Sequence, residues 1–104
     1  MPDRYMALCV ESRDMHPRIK INEVIIYDVE DAAQPDDDVV ISLTNGQTIV
    51  RSLVSFDGEK YRLRSYSPAA ASTLRSEDVE ACHPIIARCR ASFFDEIAAQ
   101  QEAA

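Results

Sequence analysis

The stretch from Val39 to Tyr66, VVISLTNGQTIVRSLVSFDGEKYRLRSY, decides the fold. Its three β-rich runs are separated by Asn45-Gly46 and Asp57-Gly58, which hold the chain's 2 glycines. Such pairs tolerate the positive φ that tight hairpin turns often need. Val39 to Thr44 is β-branched, Gln47 to Phe56 contains Ile49, Val50, Leu53 and Val54, and Glu59 to Tyr66 alternates Tyr61 and Leu63 with Arg62 and Arg64. This pattern predicts an antiparallel meander whose last strand has one wet face.

Working outward, Tyr5 to Glu11 is apolar at both parities, which predicts a strand covered on both faces, and Glu23 to Val29 is a second β-rich run. Pro17 disfavours helix at His16, so an irregular connection is expected between them. Glu30 to Asp38 reads as an acidic, proline-containing loop. Ser65 to Glu80, rich in Ser and Ala, reads as a longer irregular excursion, and Ile85 to Arg90 as a further short strand. From Ser92 the period changes: Phe93, Phe94, Ile97, Ala98 and Gln101 fall on one helical face, with Ser92 and Asp95 spaced as a capping box. One mostly β domain spanning 1–104 is expected, with a core at about 5–90 and a helical tail at 92–104.

The 104 residues carry 18 acidic against 11 Lys and Arg side chains, for a net charge of -7, with 46% hydrophobic residues. That length supports one core, and that apolar fraction is far above the range of disordered chains. No apolar run approaches the roughly 20 residues of a membrane span, so a soluble, cytoplasmic protein with no membrane partner is expected. Cys9, Cys82 and Cys89 cannot all pair within one chain and form no C-x-x-C, which points to a reducing compartment. Between residues 21 and 50 stand Glu23, Asp28, Glu30, Asp31, Asp36, Asp37 and Asp38 with no Lys or Arg. Such a surface repels phosphate backbones, so direct nucleic-acid binding is not expected. It gives solubility or a docking face for a basic partner.

Four segments in order carry a family resemblance: VESRDMHPRIKINEVIIYD (10–28), PDDDVVISLTNGQTIVRSL (35–53), DGEKYRLRSYSP (57–68) and EDVEACHPIIARCR (77–90). Over about residues 5 to 90 the chain resembles the C-terminal domain of the LexA and lambda-type phage repressors, a self-cleaving serine peptidase-like family. The resemblance implies a mainly β, signal peptidase-like antiparallel fold with a short C-terminal helix. In that family the first motif is V-x-G-D-S-M-x-P, whose serine is the nucleophile, and a lysine in a later V-K-R-L stretch is the general base. Val10, Met15 and Pro17 match. Asp14 stands at the serine position, Ser12-Arg13 at the preceding Gly-Asp, Asn22-Glu23 at the later Gly-Asp, and Arg51 at the lysine.

A serine/lysine mechanism needs a neutral amine to take the hydroxyl proton. A guanidinium stays protonated throughout the accessible range, and a carboxylate has no hydroxyl proton to give. No catalytic residue is therefore expected, and an ion pair between Asp14 and Arg51 follows if the fold brings them together. Rescue through Ser12 or Ser52 would need Lys20 or Lys60; Lys20 alternates with Ile19 and Ile21, and Lys60 follows a hairpin glycine, so both should be solvated. The family's scissile Ala-Gly-type bond lies before the catalytic domain, and that segment is not expected in this sequence.

No cofactor or metal is expected. Cys82, His83 and Cys89, with Cys9 or His16, lack the usual close ligand pair of zinc sites. Asp36-Asp37-Asp38 lacks the spacing of an EF-hand loop. The resemblance implies a non-catalytic domain of phage or prophage origin that works in transcriptional control through self-association, as a homodimer or higher oligomer, with a regulatory protein as a further partner. DNA would be reached only through a linked helix-turn-helix, which is expected elsewhere than in these residues. Candidate association residues are Phe93, Phe94 and Ile97 on the helix, and Ile85 and Ile86 at a strand edge running to Arg90. The alternatives are an active autoprotease using an unrecognised nucleophile, and an unrelated small β-barrel interaction module.

Overall fold

The computed structural model describes residues 3–103, with side chains up to Ile97. The glycine-punctuated stretch forms the expected meander: β3 (Asp38–Leu43), β4 (Thr48–Phe56) and β5 (Lys60–Tyr66). The first turn is a three-residue loop. The Leu43 and Gly46 amides donate to the Gln47 and Leu43 carbonyls at 2.8 and 3.0 Å. Gly46 (φ 91°) alone takes the left-handed conformation there, so Asn45 serves through its side chain, which accepts the Gln47 amide at 2.9 Å. At the second turn only Gly58 has positive φ (92°). The Asp57 carboxylate gathers the Glu59 and Lys60 amides, and these hold its carboxyl below the usual carboxylate range.

Before the meander lie β1 (Tyr5–Cys9) and β2 (Glu23–Asp28); after it come β6 (Ala69–Arg75), a 3-10 turn (Ser76–Asp78), β7 (Val79–Arg90) and α1 (Ala91–Ala103). All strand pairings are antiparallel, in one sheet of order β1-β2-β7-β3-β4-β5-β6. The fold is thus mainly β with one short C-terminal helix. Among the described residues no helix is long and apolar enough to cross a membrane.

Three expectations need correction. Ser65 to Glu80 is not irregular: Ala69–Arg75 pairs residue for residue with Lys60–Tyr66. As an outer strand with only Leu74 packed inward, it shows no apolar alternation. The short strand at Ile85 is the second half of a 12-residue strand. Val79–Pro84 pairs with β3 and Ile85–Arg90 with β2, and buried Pro84 sits where one partner gives way to the other. Tyr5–Cys9 is an edge strand rather than a doubly covered one, with Met6 48% exposed. In the tail the helix starts at Ala91, so Ser92 lies within its first turn. The side chains of Ala98 and Gln101 lie outside the described residues.

β3 divides the core. Val40 joins Val10, Met15, Ile19 and Ile25 on one side, while Val39 and Ile41 join Leu53 and Leu63 on the other. The connection from Val10 to Asn22 has no strand of its own, yet it is pinned. Met15 and Ile19 are buried, the Val10 amide donates to the Glu23 carbonyl and the Asn22 amide to the Val10 carbonyl, each at 2.8 Å. At the sheet's end Arg4 clasps the buried Asp28 carboxylate through Nη2 at 2.6 Å and Nε at 3.2 Å, and the Glu30 amide adds a third bond. The guanidinium holds the Asp28 carboxyl below its ordinary range despite the opposing effect of burial.

Met15→Ala should destabilise the domain by about 2–5 kcal/mol, read from the denaturant midpoint at unchanged m-value, because a buried plug leaves a cavity under the connection. Asp28 has a depressed folded-state pKa, so its contribution is present above the unfolded value of about 3.9 and is lost as pH falls through the folded one. Asp28→Asn should therefore melt below the parent at neutral pH, with the gap narrowing progressively on acidification below about pH 4.

Candidate functional site

The burial of Met15 fixes where its neighbour goes. The Asp14 carbonyl accepts the Tyr66 and Ser67 amides at 2.7 and 3.0 Å, tying the 10–22 connection to the end of β5. The Asp14 side chain lies on a groove of about 470 Å³, bounded by Leu8, Val10, Ser12 and Met15 on one side and by Thr48 to Arg51 of β4 on the other. β5 pairs with β4 only from Ser52 onward, so Thr48–Arg51 reach the groove with a strand ladder on the β3 side alone.

Arg51 Nη1 stands 3.3 Å from Asp14 Oδ2. The same nitrogen donates to the Val50 carbonyl at 2.7 Å. Arg51 is 20% exposed and Asp14 46%, so the pair lies at the groove wall in partial contact with water. The two positions singled out from the sequence, 37 residues apart, are therefore brought together. A guanidinium engaged by a carboxylate and a carbonyl is a fixed positive charge with no lone pair to accept a proton.

The serines are placed differently. Ser12 lines the groove, and its Oγ accepts the Asp14 amide at 3.1 Å. Neither lysine nor histidine is among the groove's lining residues, and Lys20 and Lys60 are exposed elsewhere. Ser52 is buried and lines a separate pocket. Its hydroxyl donates to Asp38 Oδ1 at 2.6 Å and lies 3.0 Å from the Tyr66 hydroxyl. Asp38 also receives Arg18 Nε at 2.8 and 2.9 Å, and that guanidinium sits 5.7 Å from the Tyr66 ring centroid. This cluster joins residues from 18 to 66, with no local spacing in the sequence that announces it.

The association candidates split. Phe93, Ile97 and Ile86 are 52%, 37% and 52% exposed, whereas Phe94 is half-buried and Ile85 packs against the core. Ile85 to Arg90 is engaged by β2 along one side, so it is an interior strand of the sheet order; its second side carries no ladder among the described residues. The cysteines do not converge on the histidines: among the described residues no three His, Cys, Asp or Glu side chains are grouped to hold a metal ion. Burial pushes the Cys82 thiol up to about 11. The His83 ring stacks beside Tyr27 at 6.1 Å, with its buried Nδ1 lacking a hydrogen-bond partner.

A double-mutant cycle on Asp14→Ala and Arg51→Met should give a coupling of at most about 1 kcal/mol in folding stability, because the carboxylate is half exposed. Zero coupling at low salt would mean that the two side chains do not meet in solution.

A family model described as Peptidase S24-like matches residues 1–89. No curated protein matches the sequence.

Proposed function

The chain belongs to the Peptidase S24-like family, that of the LexA and phage-repressor C-terminal domains, and from that membership we propose a non-catalytic, repressor-type association domain acting in transcriptional control. The observation that carries the reading is the 3.3 Å contact of Arg51 with Asp14 on the groove wall. Where the resemblance places a hydroxyl nucleophile and a neutral amine, this chain has a carboxylate and a permanent cation. Neither can take the part of the serine or of the lysine in that mechanism.

The second support is geometric. Ser12 has neither a lysine nor a histidine among the groove's lining residues. The Ser52 proton is directed to a carboxylate that already holds Arg18. The autoprotease reading therefore has a candidate nucleophile in each place and no neutral amine beside either.

What remains is assembly. The apolar side chains of Phe93, Ile97 and Ile86 stay in water near the junction of β7 with α1. A second copy covering them, and pairing along the unladdered side of Ile85–Arg90, would produce a two-fold dimer. In a repressor such a dimer holds two DNA-binding modules for two half-sites. A phage or prophage origin and a cytoplasmic workplace belong to the same reading, as does a regulatory protein captured along the groove.

Two measurements test it. Prolonged alkaline incubation followed by mass spectrometry should return the intact chain; a specific product that disappears in Ser12→Ala or Ser52→Ala would establish the autoprotease instead. Sedimentation should show a concentration-dependent dimer, weakened at least tenfold by Phe93→Asp with Ile97→Asp, as expected when apolar anchors are lost from an interface. A strict monomer at high concentration would remove the association role.

A further inference from the structure

β6 forms one end of the sheet. Residues Ala69 to Thr73 are all exposed, and among the described residues no backbone bond engages their outer side. An uncovered row of amides and carbonyls is a template for another extended chain. The usual devices that blunt an edge are sparse here: β6 contains no Pro and no Lys, and its pairing to β5 runs without a bulge.

The face beside this edge is cationic. Lys60, Arg62 and Arg64 occur at alternate positions of β5 and are exposed. Side chains at such positions share a face and repeat at roughly 6.6–6.8 Å along a strand. None of the three is in an ion pair among the described residues. Acidic neighbours are Glu59, next to Lys60 in the chain, Asp57, whose carboxyl Arg62 helps to hold down, and Asp36, which shares a shallow pocket with Arg64. In a chain of net charge -7 this row is a local exception. On β6, Thr73 stands opposite Arg62 and Ala71 opposite Arg64. These small side chains leave the two arginines clear to lean across β6, toward a strand one spacing of about 4.8 Å beyond it.

We propose that the outer edge of β6 binds an extended acidic peptide segment of a partner protein as an added antiparallel or parallel strand. Its main chain pairs with Ala69–Arg75, and its carboxylates on the Lys60 face meet Arg62 and Arg64. A second copy is the wrong occupant. Pairing β6 with β6 about an axis perpendicular to the sheet would place both cationic rows on one continuous face. A single-stranded nucleic acid is also disfavoured. The stacked aromatic pair Phe56 and Tyr61 stands at the alternate parity to the cations, and the ring on their own side, Tyr66, is half-buried with Arg18 over its face, which leaves the row no free stacking platform. The site is separate from the groove and does not depend on the loss of catalysis there.

The probe is a short fluorescent peptide alternating threonine and glutamate, added to the intact chain at low salt, with lysine-for-glutamate and oligo-dT probes in parallel. The glutamate peptide should bind, weaken with added salt and slow amide exchange across Ala69–Arg75. Arg62→Ala with Arg64→Ala should weaken binding by about three- to tenfold, and Thr73→Glu should do likewise by placing an acid in the row. Equal binding of the lysine peptide, preference for oligo-dT, protection elsewhere than β6, or no binding would each overturn the proposal.

Discussion

Val39 and Ile41 turn one way from β3 and Val40 the other, and all three are essentially withdrawn from water. A strand buried on both faces cannot shift by one residue without exchanging its two sets of contacts, so β3 fixes the register of the sheet. β4 and the first half of β7 pair with it directly. Through β7 the register passes to β2 and then β1, and through β4 to β5 and β6. The groove inherits its shape from this arrangement: one wall is β4, and the other is the end of β1 with the strandless connection that follows it, held down by Met15 and Ile19.

Within that frame, the Asp14 carboxylate and the Arg51 guanidinium are a mutually consistent pair on the groove wall. A lone cation on a partly shielded wall would carry a desolvation penalty, and the opposing charge at 3.3 Å offsets it. The pair is too exposed to hold the fold together. Its consequence is local, since it sets two opposite charges on one wall of the groove.

Local chemistry made much of this legible in the residues themselves. Asn45-Gly46 and Asp57-Gly58 announced the hairpins because their turns require Gly46 and Gly58 at positive φ. β6 was hidden because AAASTLR rests on the sheet edge with only Leu74 inward, and alternation registers burial rather than pairing. Pro84 made β7 look like a loop followed by a short strand. A proline is tolerated there because the ladder changes partner between Pro84 and Ile85. The Asp14 to Arg51 contact joins positions that no local pattern links; the family resemblance, not periodicity, pointed to it. The Arg18, Asp38, Ser52 and Tyr66 cluster had neither kind of signal, since each member looks like an ordinary surface or strand residue until the fold assembles it.

The threading of β7 has a consequence for how the molecule comes into being. β1 and β2 form an early hairpin, and β3 to β6 form a second group, but no strand of the first group pairs with any strand of the second. The last strand in chain order is the one inserted between them. Before Val79–Arg90 has cleared the exit tunnel of a ribosome, the two groups can share the packing and bonds of the 10–22 connection but no strand ladder. Completion of the strand ladder is then a late event over long sequence separations, and until it happens β2 and β3 each keep an unpaired edge.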